Sequence, residues 1–219
     1  MTEKETQDTK KDTSSNEKNI TLKDTTSNPA PLGLMGFGMT TVLLNLHNAE
    51  LIFMGSVIAS MGIFYGGLAQ IIAGIMEYKK GNTFATTAFT SYGLFWMSLV
   101  GIWMIPGFFS EGDSSHLLGN DPQTVGAYLF MWGLFTTFMF IGTMNPNSNW
   151  TLRFVFASLS ILFFLLAAGH AGDEVNETII KIAGYEGIIC GLSAIYLAMA
   201  EVINEAHGKV VLPIFPASK

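Results

Sequence analysis

Cysteine is almost missing from this chain. The single one, Cys190, sits inside an apolar run, so a disulfide framework and a cysteine-based metal site are both excluded, and the residue reads as a small buried side chain. Charge is scarce too, at 13% of residues, and the acidic excess is spread over an N-terminal stretch and short connections, which speaks against a nucleic-acid partner. The histidines, at 47, 116, 170 and 207, show no metal-ligand spacing, and there is neither a Gly-x-Ser-x-Gly elbow nor a phosphate-binding glycine loop. These absences argue against an enzyme and lead us to expect no metal and no cofactor.

What the chain does have is oil. Hydrophobic residues make up 49% of the 219 positions, and mean hydropathy is +0.40, the composition of a membrane protein with no length to spare for a separate soluble domain. Six apolar segments cover about 33–47, 51–76, 84–105, 124–142, 152–169 and 179–200. Each has a length and composition suited to a helix rather than a strand, so the expected fold is all-α, an integral membrane bundle of six transmembrane helices. Residues 1–27, rich in Lys, Asp, Glu, Ser and Thr, have almost nothing with which to build a core and are expected to form a disordered cytoplasmic tail. No apolar signal-peptide region is present there, so the first span is expected to direct insertion. The transport domain is then 28–205, followed by a short cytoplasmic tail, 206–219.

Positive charge sets the expected orientation. Ten of the 11 Lys and Arg residues fall on one side if the segments alternate: five before the first, Lys79 and Lys80 after the second, Arg153 after the fourth, Lys209 and Lys219 after the sixth. Only Lys181 lies opposite. By the positive-inside rule both termini are expected in the cytoplasm.

The first segment is short. From Gly33 to His47 the apolar run spans roughly 22 Å of helix against a hydrocarbon core of about 30 Å. Just before it stands Asn28-Pro29-Ala30-Pro31-Leu32-Gly33, whose prolines are expected to hold an extended leader and to delay the helix to about Pro31–Gly33. Irregular backbone at membrane depth survives where protein or a watery cavity covers it, so these six residues are the expected entrance to a pathway.

Polar side chains recur along the segments. Thr83, Thr87, Thr90 and Ser91 share one face of the third by their spacing, and Thr40, Asn45 and Gln70, with Asn28 at the entrance, add further hydroxyls and amides. In a hydrocarbon setting such groups mark either helix packing or a solute pathway, and their spread over most segments favours a pathway. No Lys or Arg stands in the middle of the bundle, so a carboxylate would be handled by hydroxyls, amides and helix N-termini, or would cross together with a proton. His47, Glu50 and Glu77, at segment ends, are the candidates for proton coupling.

The string Asn28 to Leu34, continued by Gly36-Phe37-Gly38 and Leu44-Asn45-Leu46-His47-Asn48, resembles the signature of the acetate uptake transporter family. Blocks at Met61 to Gly67, Glu77 to Phe84 and Ala194 to Met199 are similar to that family in the same order, so the likeness runs from about Asn28 to Pro213. The resemblance implies transport of acetate, and of succinate, as an anion channel or proton-coupled symporter in the cell membrane. It also implies a homohexamer with a pore in each protomer, and it carries a hydrophobic constriction onto Phe37, Tyr92 and Leu159. The alternatives are a channel for another small solute such as ammonium or water, and a structural membrane bundle. The partners expected are a small carboxylate and the lipid bilayer.

Overall fold

The structure, a computed structural model, describes residues 26–108 and 121–218. The expected tail at 1–27 therefore lies outside the described residues, apart from Thr26 and Ser27. Among the described residues six helices make up the fold: α1 (Ala30–Asn48), α2 (Ser56–Lys79), α3 (Thr83–Phe108), α4 (Pro122–Gly142), α5 (Trp150–Gly169) and α6 (Glu177–His207). Helices α2 to α6 are long and apolar enough to cross a membrane; α1, diluted by Thr40, Thr41, Asn45 and His47, is not among these five.

Asparagine and aspartate start four of the helices. Asn82, Asp121, Asn149 and Asn176 accept through their side chains from the backbone N–H groups of Ala85, Thr124, Leu152 and Ile179, at 2.7 to 3.1 Å. Each bond satisfies a donor that has no partner within its own helix. Asp121 is also held below the usual carboxylate range by the Thr124 hydroxyl and N–H. Helix α6 stops at Gly208, whose φ of 60° is the left-handed conformation that ends many helices.

One expectation about the chain's course needs correcting. Helix α1 begins at Ala30, and Pro29 sits at φ −84°, ψ −12°, so Asn-Pro-Ala-Pro is not an extended leader. Prolines at a helix start sacrifice N–H groups that would be unpaired there anyway, and the Pro29 carbonyl accepts from Leu32 and Gly33 at 3.1 and 3.4 Å. At the other end, the segment expected as a short tail is tied down as a strap. Asn204 receives the N–H groups of Val211 and Leu212 on its Oδ1, at 2.7 and 2.9 Å. The Tyr196 hydroxyl donates to the Pro213 carbonyl at 2.7 Å, Thr151 donates to that of Ile214 at 3.1 Å, and the Trp150 N–H donates to that of Phe215 at 2.8 Å. The strap thereby ties the end of α6 to the start of α5.

The helices close a ring: α1 packs on α6, α6 on α5, α5 on α4, α3 on α2 and α2 on α1, with the thinner α3–α4 contact completing it. The tightest seam is α1 against α6. A Cβ at Gly187 would lie 2.2 Å from Asn45, so glycine there allows the two backbones to approach. Residues Gly62–Ala69 of α2 are wound as a π-helix, a local widening that frequently marks functional segments. Immediately after it comes Gln70, directed into the ring.

Candidate functional site

Three cavities follow one another through the ring. At the end where both described termini lie, a vestibule of about 400 Å³ is bordered by Asn28, Ala30, Glu77, Lys80, Asn82 and Glu201, with Leu34 and Leu152 at its floor. Leu34 and Leu152 also border the next cavity, of only about 40 Å³, which is walled by Phe37, Gln70, Phe89, Tyr92, Phe156 and Leu159 among others. One helical turn beyond Tyr92, Phe95 stands on the wall of a third cavity of about 520 Å³, with His47, Asn48, Trp103 and His170. The middle cavity has room for only a few waters, the outer two for many more.

Phe37, Tyr92 and Leu159, which come from α1, α3 and α5, are thus brought together around the narrow cavity. The Phe37 and Tyr92 rings lie 6.1 Å apart between centroids. Tyr92 is 3% exposed and is braced from α4 by Phe135, edge-on at 5.5 Å, and by Trp132 at 6.2 Å. Its hydroxyl donates to Thr136 Oγ1 at 2.9 Å, which turns the polar end of the phenol into the α3–α4 seam. Van der Waals packing of rings on several sides fixes the width of this cavity.

The entrance residues form a hydrogen-bonded rim. Asn28 Oδ1 accepts from the Ala30 N–H at 3.1 Å, while its Nδ2 donates to Glu201 Oε2 at 3.0 Å, joining the beginning of α1 to the last turns of α6. Opposite, Asn82 Nδ2 donates to Glu77 Oε2 at 2.8 Å. Lys80 reaches the Ser27 carbonyl at 3.3 Å. Pro29 and Gly33 are buried, whereas Pro31 is half-buried and Leu32 faces outward. Gly33 receives the Phe89 ring, which would stand 2.5 Å from a Cβ.

Other sequence candidates lie elsewhere. Thr83 and Thr87 face the outer surface of the protomer, Ser91 is half-buried, and Thr90 abuts Gly74 of α2, so none of the four borders these cavities. The reason is that α3 turns its aromatic face, Phe89, Tyr92, Phe95 and Trp96, into the ring and leaves the hydroxyl stripe behind it. Thr40, fully buried, packs where Gly66 and Trp96 meet, and Asn45 bonds to the Thr41 carbonyl at 2.9 Å within the α1–α6 seam. Asn28 and Gln70 are the two pathway candidates that do border a cavity.

The three candidates for proton coupling are divided between the two ends. Glu77, 3% exposed, is in the first vestibule. His47 borders the third and donates through Nδ1 to the Ile52 carbonyl at 3.3 Å. Glu50 pairs with Lys181 at 2.6 Å rather than with His47. Glu201, Asn82 and His170 also border the vestibules but were not singled out from the sequence, where each reads as an ordinary helix-end residue. Glu186 was passed over as well: it accepts from Ser158, next to Leu159 on α5, and the signal was an acidic residue well inside an apolar segment.

Against this geometry the comparisons with known proteins are consistent. The GPR1/FUN34/yaaH family model matches residues 12–219. The Succinate-acetate/proton symporter SatP of Escherichia coli K12 is 56% identical over 188 residues, which is 86% of this chain and 95% of that protein. An uncharacterized protein of Methanothermobacter thermautotrophicus is 52% identical over 198 residues, covering 90% of this chain and 95% of its own. Among solved structures, the bacterial acetate channel SatP superposes with a TM-score of 0.79 at 55% identity, over 86% of this chain and 99% of that one. With its six helices, its narrow aromatic cavity between two vestibules and these relatives, the chain belongs to the GPR1/FUN34/yaaH family, a family of multi-pass membrane transporters, not enzymes.

Proposed function

We propose that this chain carries acetate, and succinate as a second substrate, across the cell membrane through a passage within each protomer. One observation carries the proposal: Phe37, Tyr92 and Leu159 converge on a cavity of about 40 Å³ between two that are roughly ten times larger. A solute crossing there must shed its water, so the narrow stretch sets both the barrier and the selectivity. Asn28 and Gln70 offer the hydrogen bonds along the way, with Asn28 and the turn that follows forming the mouth. Support for the substrate comes from the curated relative described as a succinate-acetate/proton symporter and the solved structure described as an acetate channel. The ten-to-one distribution of Lys and Arg supports cytoplasmic termini, and homohexameric assembly is part of the same proposal.

The test is uptake of labelled acetate, water and ammonium, side by side, in proteoliposomes. The expected result is acetate uptake well above protein-free vesicles with little acceleration of water or ammonium. Water or ammonium flux rising while acetate stays at the vesicle background would assign the passage to another solute. No rise in any of the three would leave a structural bundle.

A further inference from the structure

Tyr92, one of the three side chains that converge on the narrow cavity, is anchored by its own hydroxyl, which crosses from α3 to Thr136 of α4 at 2.9 Å. Leu159 has no polar atom with which to do the same. The residue before it does: Ser158, 5% exposed, donates through Oγ to Glu186 Oε1 of α6. One turn further along α6 the Cys190 thiol faces the Val155 carbonyl at 3.7 Å, so positions 186 and 190 of α6 are set against positions 155 and 158 of α5. Ser160 turns back to its own helix, donating to the Phe156 carbonyl at 2.9 Å. Among the described residues, Ser158 to Glu186 is the one oxygen-to-oxygen hydrogen bond that leaves residues 155–165 of α5 for another helix.

Glu186 is a costly occupant of that seam. It stands roughly 14 Å along α6 from Glu177, its Oε2 is buried without a hydrogen-bond partner, and Lys181, on the same helix, is paired with Glu50 at 2.6 Å. A carboxyl at membrane depth with an oxygen left over costs free energy that an aliphatic side chain would not. What the carboxyl supplies is direction. By taking the Ser158 hydroxyl it fixes the rotation of α5 about its own axis, and Leu159 follows at about 100° round the helix, so the same rotation aims Leu159 into the narrow cavity. Glu186 itself borders none of the three cavities.

Resting on the narrow stretch proposed above as the selective barrier, we infer that Glu186 is a positioning residue for it: through Ser158 it holds Leu159 in the narrow cavity, and it thereby sets how large an acid the protein admits without touching the solute. The bond needs an acceptor at Oε1 and no charge, so an amide in the same place serves as well as the carboxyl. Without the bond, α5 is free to turn by a few degrees at this level, and Leu159 no longer fills its share of the cavity. The effect of losing Glu186 therefore runs through Ser158 and Leu159, and it vanishes when Leu159 is already truncated.

The experiment reads a ratio rather than a rate. Uptake of labelled acetate and lactate is measured in vesicles, per inserted oligomer, for the unaltered protein and for Glu186→Gln, Glu186→Ala, Ser158→Ala, Leu159→Ala and the double variant Leu159→Ala with Glu186→Ala. In Glu186→Ala and in Ser158→Ala the lactate-to-acetate ratio should rise about five-fold or more, the factor that one net hydrogen bond corresponds to. Glu186→Gln should keep the parent ratio, and the double variant should match Leu159→Ala alone, because residues that act through one another are not additive. An unchanged ratio in Glu186→Ala and Ser158→Ala, or an equal fall of both acids, overturns the inference and leaves Glu186 as packing; a further rise in the double variant also overturns it, since Glu186 would then act by another route. If Glu186→Ala does not assemble, Ser158→Ala decides. A Leu159→Ala protein that takes up acetate with the parent ratio would instead overturn the narrow stretch as the barrier, and absence of acetate uptake by the unaltered protein would overturn the transport reading itself.

Discussion

The Tyr92 hydroxyl donates to Thr136 Oγ1 at 2.9 Å, and Thr136 passes its own hydrogen to the Trp132 carbonyl at 2.7 Å. This relay closes the thinnest seam of the ring, between α3 and α4, and it turns the phenol oxygen away from the narrow cavity. Replacing Thr136 by Val should leave a buried hydroxyl without an acceptor and destabilise the protein by about 1–3 kcal/mol. Adding Tyr92→Phe should restore most of that loss, since removing both partners is nearly neutral. Thermal unfolding of the purified protein checks both; a single variant as stable as the parent would show that the bond contributes nothing.

The constriction residues should behave as a filter. Phe37→Ala or Leu159→Ala opens the narrow cavity and lets water accompany the solute, so acetate flux should rise and lactate should begin to pass. If these side chains serve packing alone, truncation costs about 2–5 kcal/mol and lowers flux for every acid. Uptake of acetate, lactate and succinate per inserted oligomer separates the two, a uniform fall with a dissociated oligomer being the outcome against a filter.

At the mouth, Asn28 makes two bonds, one to Ala30 N–H and one to Glu201. Asn28→Ala loses both, and Asn28→Asp keeps an acceptor for Ala30 while setting a second carboxylate against Glu201. Both variants should lose acetate uptake, the Asp form more, if the rim holds the start of α1 in position. Asn28→Asp in a Glu201→Gln background should recover part of the loss. No recovery would show that the two residues act separately.

Much of this fold was legible in the sequence because hydrocarbon imposes simple rules. Long apolar runs separated by Asn, Asp and Pro marked five spans, and Lys and Arg suggested their orientation. The narrow cavity was reached through resemblance alone, since composition shows Phe37, Tyr92 and Leu159 only as bulky and embedded. The pathway list was misled by Thr83, Thr87, Thr90 and Ser91. Their spacing fixes that they share a face, but not which face turns inward, and on α3 the aromatic side does. The helical start at Ala30 was missed because the bias against helix before proline was weighed above the ease with which a first turn accepts it. Glu201 was missed because its partner, Asn28, lies 173 residues away.

The two ends of the chain should differ in importance. Deleting residues 2–25 removes a stretch with almost no core-forming side chains and should leave an active oligomer. Deleting residues 209–219 removes the partners of Tyr196, Asn204 and Thr151 and frees the start of α5, which carries Leu152 and Leu159 toward the passage. The second deletion should lower the unfolding temperature by several degrees, and acetate uptake with it. Equal stability of the two truncated proteins would show that the strap ties nothing down.

The claim that acetate passes through the protomer at Leu159 is tested most directly by placing a thiol there. Native Cys190 is fully buried and borders none of the three cavities, whereas Leu159 lines the narrow one, so in a Leu159→Cys variant a small methanethiosulfonate reagent entering the cavities should find one target. Labelled acetate uptake in vesicles is measured before and after modification, with the extent of reaction read by mass spectrometry. Uptake should fall about ten-fold or more as the constriction fills, and recover on reduction of the mixed disulfide. Unchanged uptake at complete modification would contradict the account, because the solute would then be crossing by another route.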